Sequence, residues 1–90
     1  MPQAIANPEE LERFARELAS FNATLRERMT HLQGRYSALG ETWRDQEEAK
    51  FAREFEQTVR VLHQFMRTAD QHIPFLHRKA QRIRDYLNQR

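Results

Sequence analysis

Apolar residues recur along this chain at helical spacing in two long runs, separated by a short stretch where the pattern lapses. In the first run Leu11, Leu18, Leu25, Leu32 and Leu39 lie seven residues apart without a miss. Phe14 and Phe21 fill a second position of the repeat, which turns polar at Arg28, and Met29 and Tyr36 take over on the neighbouring track. An undistorted helix drifts by about 20° per heptad, so a stripe that migrates in this way predicts a nearly straight helix. Asn7-Pro8-Glu9-Glu10 marks its start. Asn7 can accept backbone N–H bonds as the cap, Pro8 suits the first helical position, and Glu10 is placed to close a capping box. Gly40 follows the last leucine, where a left-handed residue commonly ends a helix. This helix, about residues 7–39, is expected to be roughly 50 Å long.

Residues 40–45 then read as a turn, with Thr42 or Asp45 able to cap the next helix and Glu47 and Glu48 suited to its first turn. The second run predicts a helix over about residues 46–88. One track holds Phe55, Leu62, Ala69, Leu76 and Ile83, and a flanking track holds Val59, Met66, Ile73, Ala80 and Leu87. A third holds Phe51, Phe65 and Tyr86, interrupted by Thr58, His72 and Lys79. The apolar face is therefore wide, about three positions in seven. Pro74 lies inside it. Proline removes a backbone donor and crowds the preceding turn, so a kink or short break is expected near Gln71–Ile73. The pattern continues in phase beyond it, which argues against a domain boundary.

The expected fold is all-α, a single antiparallel two-helix hairpin, because two helices joined by so short a turn fold back on each other. The 90 residues allow one domain in a size range where a partner often completes the core. The second helix carries more apolar surface than one neighbour covers. A second hairpin, giving a four-helix bundle, is the simplest remedy. The candidates for that interface are Phe51, Phe55, Val59, Leu62 and Phe65, followed by Met66, Ile73, Leu76, Ile83 and Leu87. The partner is expected to be a second copy of the chain or a related hairpin.

Composition narrows the picture further. There is no cysteine, which removes disulfides and thiolate metal sites. A net charge of +2 does not itself argue for nucleic acid. Residues 1–7 lack the basic start and apolar run of a signal peptide, and nothing approaches the ~20 apolar residues that span a bilayer. The expected location is the cytoplasm, with export by a route lacking a cleaved signal left open.

The turn carries a family resemblance. A leucine-rich helix ends in Leu39-Gly40, Trp43 follows near the midpoint of the chain, Phe51 lies eight residues later, and Phe55 four further on. This resembles the WXG (Trp-X-Gly) family of small helical hairpins, the early-secretory-antigen-like proteins of type VII secretion, over nearly the full length. The resemblance implies hairpins that pair into four-helix bundles, a turn motif here formed by Gly40, Trp43, Asp45 and Phe51, and a link to secretion machinery. It departs at two places. Asp45 stands where the family places glycine, and Tyr86 is followed four residues later by Arg90, where the family's export signal has an acidic residue. The resemblance thus carries the fold further than the export role.

Candidate chemistry is sparse. Trp43 is expected to pack across the helix ends against Leu39 and Phe51, its indole N–H bonded to a nearby carbonyl. Of His31, His63, His72 and His77, none has the spacing of a helical metal pair. Pairing about a turn near residue 42–43 sets His63 opposite residue 22–23, away from His31. Glu47, Glu48 and Asp45 fit an acidic helix start, and Ser20 and Ser37 lack a glycine-rich elbow. No enzyme and no cofactor is expected. Arg78, Lys79, Arg82 and Arg84 form a basic stretch that could contact nucleic acid, an anionic membrane surface or an acidic partner. The interleaved Ile83, Tyr86 and Leu87 weigh against nucleic acid. A basic nucleic-acid-binding protein or an intracellular scaffold is the alternative to a secretion-associated module.

Overall fold

The structure, a computed structural model, describes residues 6–89. Within them it holds two helices, α1 (Pro8–Leu39) and α2 (Gln46–Leu87), and no strand. They form an antiparallel hairpin 70 Å long and 18 by 14 Å across.

Each helix begins where its cap chemistry dictates. The Asn7 side chain accepts from the Glu9 and Glu10 backbone N–H groups at 2.8 and 3.1 Å, satisfying donors the first turn leaves open. The Glu10 carboxylate faces Arg13, 3.9 Å away, instead of closing a capping box. Asp45 caps α2 by accepting from Glu48 N–H at 3.0 Å. Acidic Glu9 and Glu10, and Glu47 and Glu48, sit in the two first turns, where the helix dipole favours negative charge.

Two local expectations are corrected. Gly40 ends α1 in the right-handed region, with φ −63° and ψ −15°. The chain leaves the helix by tightening, with Glu41 N–H bonded to Ala38 O and Thr42 N–H to Leu39 O, and so needs no left-handed residue. No break occurs near Gln71–Ile73, since α2 runs through Pro74 without interruption. Proline deprives the Asp70 carbonyl of its usual partner. Met66 and Ala69 before it and Ala80 and Ile83 after it are buried, so one face of α2 meets α1 on both sides of the proline.

The core is the seam between the helices. From α2 it takes the two tracks containing Met66, Ala69, Ala80 and Ile83. From α1 it takes Pro8, Ala15, Asn22 and Met29, with Tyr36 half-buried at the next step of seven. Each of the last four lies four residues on from a leucine of the stripe. Leu11, Leu18 and Leu25 are half-buried at the rim, whereas Leu32 and Leu39 are exposed. The small Ala15, Ala69 and Ala80 let the helices approach closely. Asn22 reaches Met66 and Asp70, so the pairing register lies several residues beyond the one expected from a turn at 42–43.

Candidate interaction face and turn

With 3.6 residues per turn, a position four on lies about 40° to one side of a leucine and a position three on about 60° to the other. The two sides of the seam therefore differ in kind. On one side Phe14 and Phe21 each keep 55% of their surface exposed. Phe21 meets Phe65 of α2 edge-on, with ring centroids 5.9 Å apart and an interplanar angle of 83°, which places the aromatic tracks of both helices on the same flank. Leu32, Leu39, Val61, Phe75 and Tyr86 add further exposed apolar surface.

On the other side the helices are tied by polar groups. Arg84 donates to Glu12 at 2.8 Å and stands 3.9 Å from Glu9. The hydrogen bond from Arg84 holds the Glu12 carboxyl below its ordinary range, assisted by the charges of Arg84, His77 and Arg16 against a desolvation cost. Arg84 is in turn held more firmly protonated, chiefly by that same bond. Further along, the Asn22 amide donates to the Met66 carbonyl at 3.0 Å and to Asp70 at 2.8 Å, and Arg26 pairs with Asp70 at 3.3 Å.

The interface candidates divide between these surroundings. Met66 and Ile83 are buried inside the hairpin. Phe55, Val59, Leu62, Ile73 and Leu76 are half-buried on the same two tracks, so they serve the chain's own seam. Phe51, Phe65 and Leu87 remain exposed. Phe14 and Phe21, which the sequence placed in the seam of the first helix, are on the open flank. The signal for this was present in the Pro8, Ala15, Asn22, Met29, Tyr36 repeat, but hydrophobicity alone discounts a track containing alanine and asparagine.

At the turn, four rings gather. Tyr36 lies 4.7 Å from Phe55 and 5.7 Å from Phe51, Phe51 stacks on Phe55 at 5.8 Å, and Trp43 lies 5.6 Å from Phe51. The Trp43 indole N–H is bonded to the Asp45 carboxylate at 3.0 Å, not to a carbonyl. The same Asp45 Oδ1 accepts the Glu48 N–H, so one oxygen both caps α2 and fixes the indole. The residue replacing the motif's glycine thus supplies a bond that glycine lacks. Thr42 is not the cap, because its hydroxyl donates back to Leu39 O at 3.2 Å. Tyr36 Oη is 3.4 Å from Glu48, and desolvation, then the Glu48 charge, raises its phenol above the ordinary range.

The basic stretch is not uniformly exposed. Arg78 and Arg82 are exposed and Lys79 half-exposed, but Arg84 points to the opposite flank and is engaged by Glu12 and Glu9. His63 lines a groove with Arg26, Met29 and Gln33, and His31 lines another with Thr24, Glu27 and Arg28. The two histidines thus line different grooves. Among the described residues there is no group of three or more His, Cys, Asp or Glu able to hold a metal, and no helix long and apolar enough to cross a membrane. Arg90, the position bearing on the tail signal, lies outside the described residues.

Comparisons with known proteins agree with this architecture. Three crystal structures of EsxB, a secreted protein from Bacillus anthracis str. Sterne, superpose on the chain at 27% sequence identity. The selenomethionine form has a TM-score of 0.75, covering 98% of this chain and 100% of that one. The wild-type form gives 0.78, with 94% and 91% covered, and a proline-to-alanine variant gives 0.81, with 94% and 99%. A comparison with curated proteins finds no match. Residues 3–88 match WXG100, described as proteins of 100 residues with WXG. A helical hairpin of this length with its tryptophan at the turn, matched nearly end to end, belongs to the WXG100 family.

Proposed function

We propose that this chain is a non-enzymatic interaction module that pairs with a second hairpin, its own copy or a paralogue, into a four-helix bundle. The observation that carries this reading is the one-sided apolar flank. Full burial of a large apolar side chain stabilises by roughly 1.5–3 kcal/mol, and Phe14, Phe21, Phe65 and Phe75 are each left about half open in the hairpin. A flank of that extent, continuous across both helices, is characteristic of an interaction surface. Light scattering of the purified chain at micromolar concentration is expected to give twice its 10.9 kDa mass. Monomer alone, with no paralogous hairpin bound when one is supplied, would contradict pairing.

The family and the secreted EsxB relative support a second part of the reading. The protein leaves the cell through a type VII apparatus. A tagged chain expressed in its host is expected in the medium, and to be lost from it when the secretion ATPase is deleted. Retention in the cell in both strains would remove the export role and leave an intracellular pairing module.

A further inference from the structure

We propose that Asn22 is the positioning residue of the association face: its amide sets the rotation of α1 about its own axis, so that the phenylalanines of α1 point to a partner and not into α2. This inference rests on the pairing reading given above.

The rotation is unexpected on hydrophobicity alone. α1 buries Ala15 and Asn22, at 0% and 2% exposure, and leaves Phe14, Phe21, Leu32 and Leu39 largely open. Turning α1 by about 60–100° would bring the Leu and Phe tracks onto α2 and send Asn22 to solvent. The isolated hairpin would then cover more of the apolar surface of α1 and keep less of it for a second chain.

Several polar contacts oppose that turn, and they lie on one side of the seam. Asn22 donates to both the Met66 carbonyl and Asp70, Arg26 reaches the other oxygen of Asp70, and Glu12 receives Arg84. Of the α1 members only Asn22 is buried. Its two bonds converge on one turn of α2, so they are satisfied in one rotational setting. Asn22 Oδ1, meanwhile, is buried without a hydrogen-bond donor. A buried group with an orphan acceptor is a poor source of stability. A single buried asparagine in a helical seam is, however, a known way to select one packing geometry over its competitors at a cost in stability.

The test uses the full chain. Asn22→Ala removes the amide without adding bulk. It is expected to remain helical, and to weaken pairing by about tenfold or more. In nuclear Overhauser spectra the Phe21 ring is expected to lose its contact with Phe65 and gain contacts with the side chains of Met66 and Ala69. A purely structural role would lower stability without moving that ring. Asp70→Ala, at an exposed position, is the second variant and is expected to shift the ring in the same direction, with pairing weakened about threefold. Asp70→Asn, which keeps an acceptor for the Asn22 amide, is expected to stay within about twofold of the unmodified chain.

If Phe21 keeps its contact with Phe65 in both alanine variants, the proposal is overturned. If Asn22→Ala fails to fold, Asp70→Ala decides by the same ring contact. If the unmodified chain pairs with nothing, the pairing reading falls, and the ring contacts still decide whether Asn22 sets the rotation.

Discussion

The two flanks of the interhelical seam solve opposite problems. The polar flank closes the hairpin on itself, with Arg84 on Glu12, Arg26 on Asp70 and Asn22 on Met66 and Asp70. These are directional contacts that fix how two helices meet, and those at the surface add little energy. The apolar flank leaves Phe14, Phe21, Phe65 and Phe75 open. Its contacts are non-directional and gain their energy only when something covers them. In the proposed pairing, geometry within the chain is assigned to one side and association between chains to the other.

Charging the apolar flank is expected to have the largest effect. Phe14→Glu combined with Phe21→Glu removes two half-open aromatic side chains and adds like charges. Pairing is expected to fall at least about 100-fold by sedimentation velocity. Circular dichroism is expected to remain helical, since both rings lie outside the seam. Loss of helicity together with pairing would show that the flank serves folding, and that the division is false.

The turn belongs to neither flank and serves as a control. Asp45→Ala removes the cap of α2 and the indole bond together. It is expected to cost about 1 kcal/mol of stability in denaturant titrations, with a shift of Trp43 fluorescence as the ring is released. Pairing measured below the unfolding transition is expected to change far less than with the phenylalanine variants.

On the polar flank, acid is the sharper probe. Glu12 is held below its ordinary value by the Arg84 hydrogen bond. Its contribution is therefore complete above the ordinary carboxylate range and is lost as pH falls through the lowered value. Arg84→Ala is expected to return the Glu12 carboxyl toward its ordinary titration by NMR. Glu12→Gln is expected to flatten that part of the acid dependence of thermal stability. At neutral pH either change is expected to weaken pairing less than Asp70→Ala does, because the Asn22 bonds that hold the rotation of α1 remain.

The smallest effect is expected at Gly40. Its φ is helical, and a Cβ there would meet Ser37 O at 3.4 Å, an ordinary contact. Gly40→Ala is expected to stabilise by about 0.4–1 kcal/mol in thermal melts, mainly by restricting the unfolded chain.

Much of this molecule is legible in its sequence, and the residues show where legibility stops. Asn7-Pro8 and Asp45 are local cap signals and needed no tertiary knowledge. The seven-residue repeat of α2 survives Pro74 because the apolar tracks continue in phase on both sides. The rotation of α1 was not legible, because periodicity finds an apolar stripe without saying which molecule covers it. The leucine and phenylalanine tracks read as an internal seam, whereas the hairpin chose the track of Ala15, Asn22 and Met29. That choice depends on close approach to Ala69 and Ala80 and on hydrogen bonds 44 and 48 residues apart in sequence. The interface candidates of α2 are divided for the same reason. The Asp45 bond to the indole was hidden too, since a departure from a family motif gives no hint that the new side chain turns back on the tryptophan.

In the proposed pairing a second hairpin covers one flank and leaves the other free. Hydroxyl-radical footprinting across a dilution series reads both flanks at once. As concentration rises into the micromolar range, or as a paralogous hairpin is added, oxidation of Phe14, Phe21, Phe65 and Phe75 is expected to slow together. Oxidation of His63, on the polar flank, is expected to stay constant. Slowing on the polar flank alone, or no concentration-dependent protection at the four phenylalanines, would contradict the account.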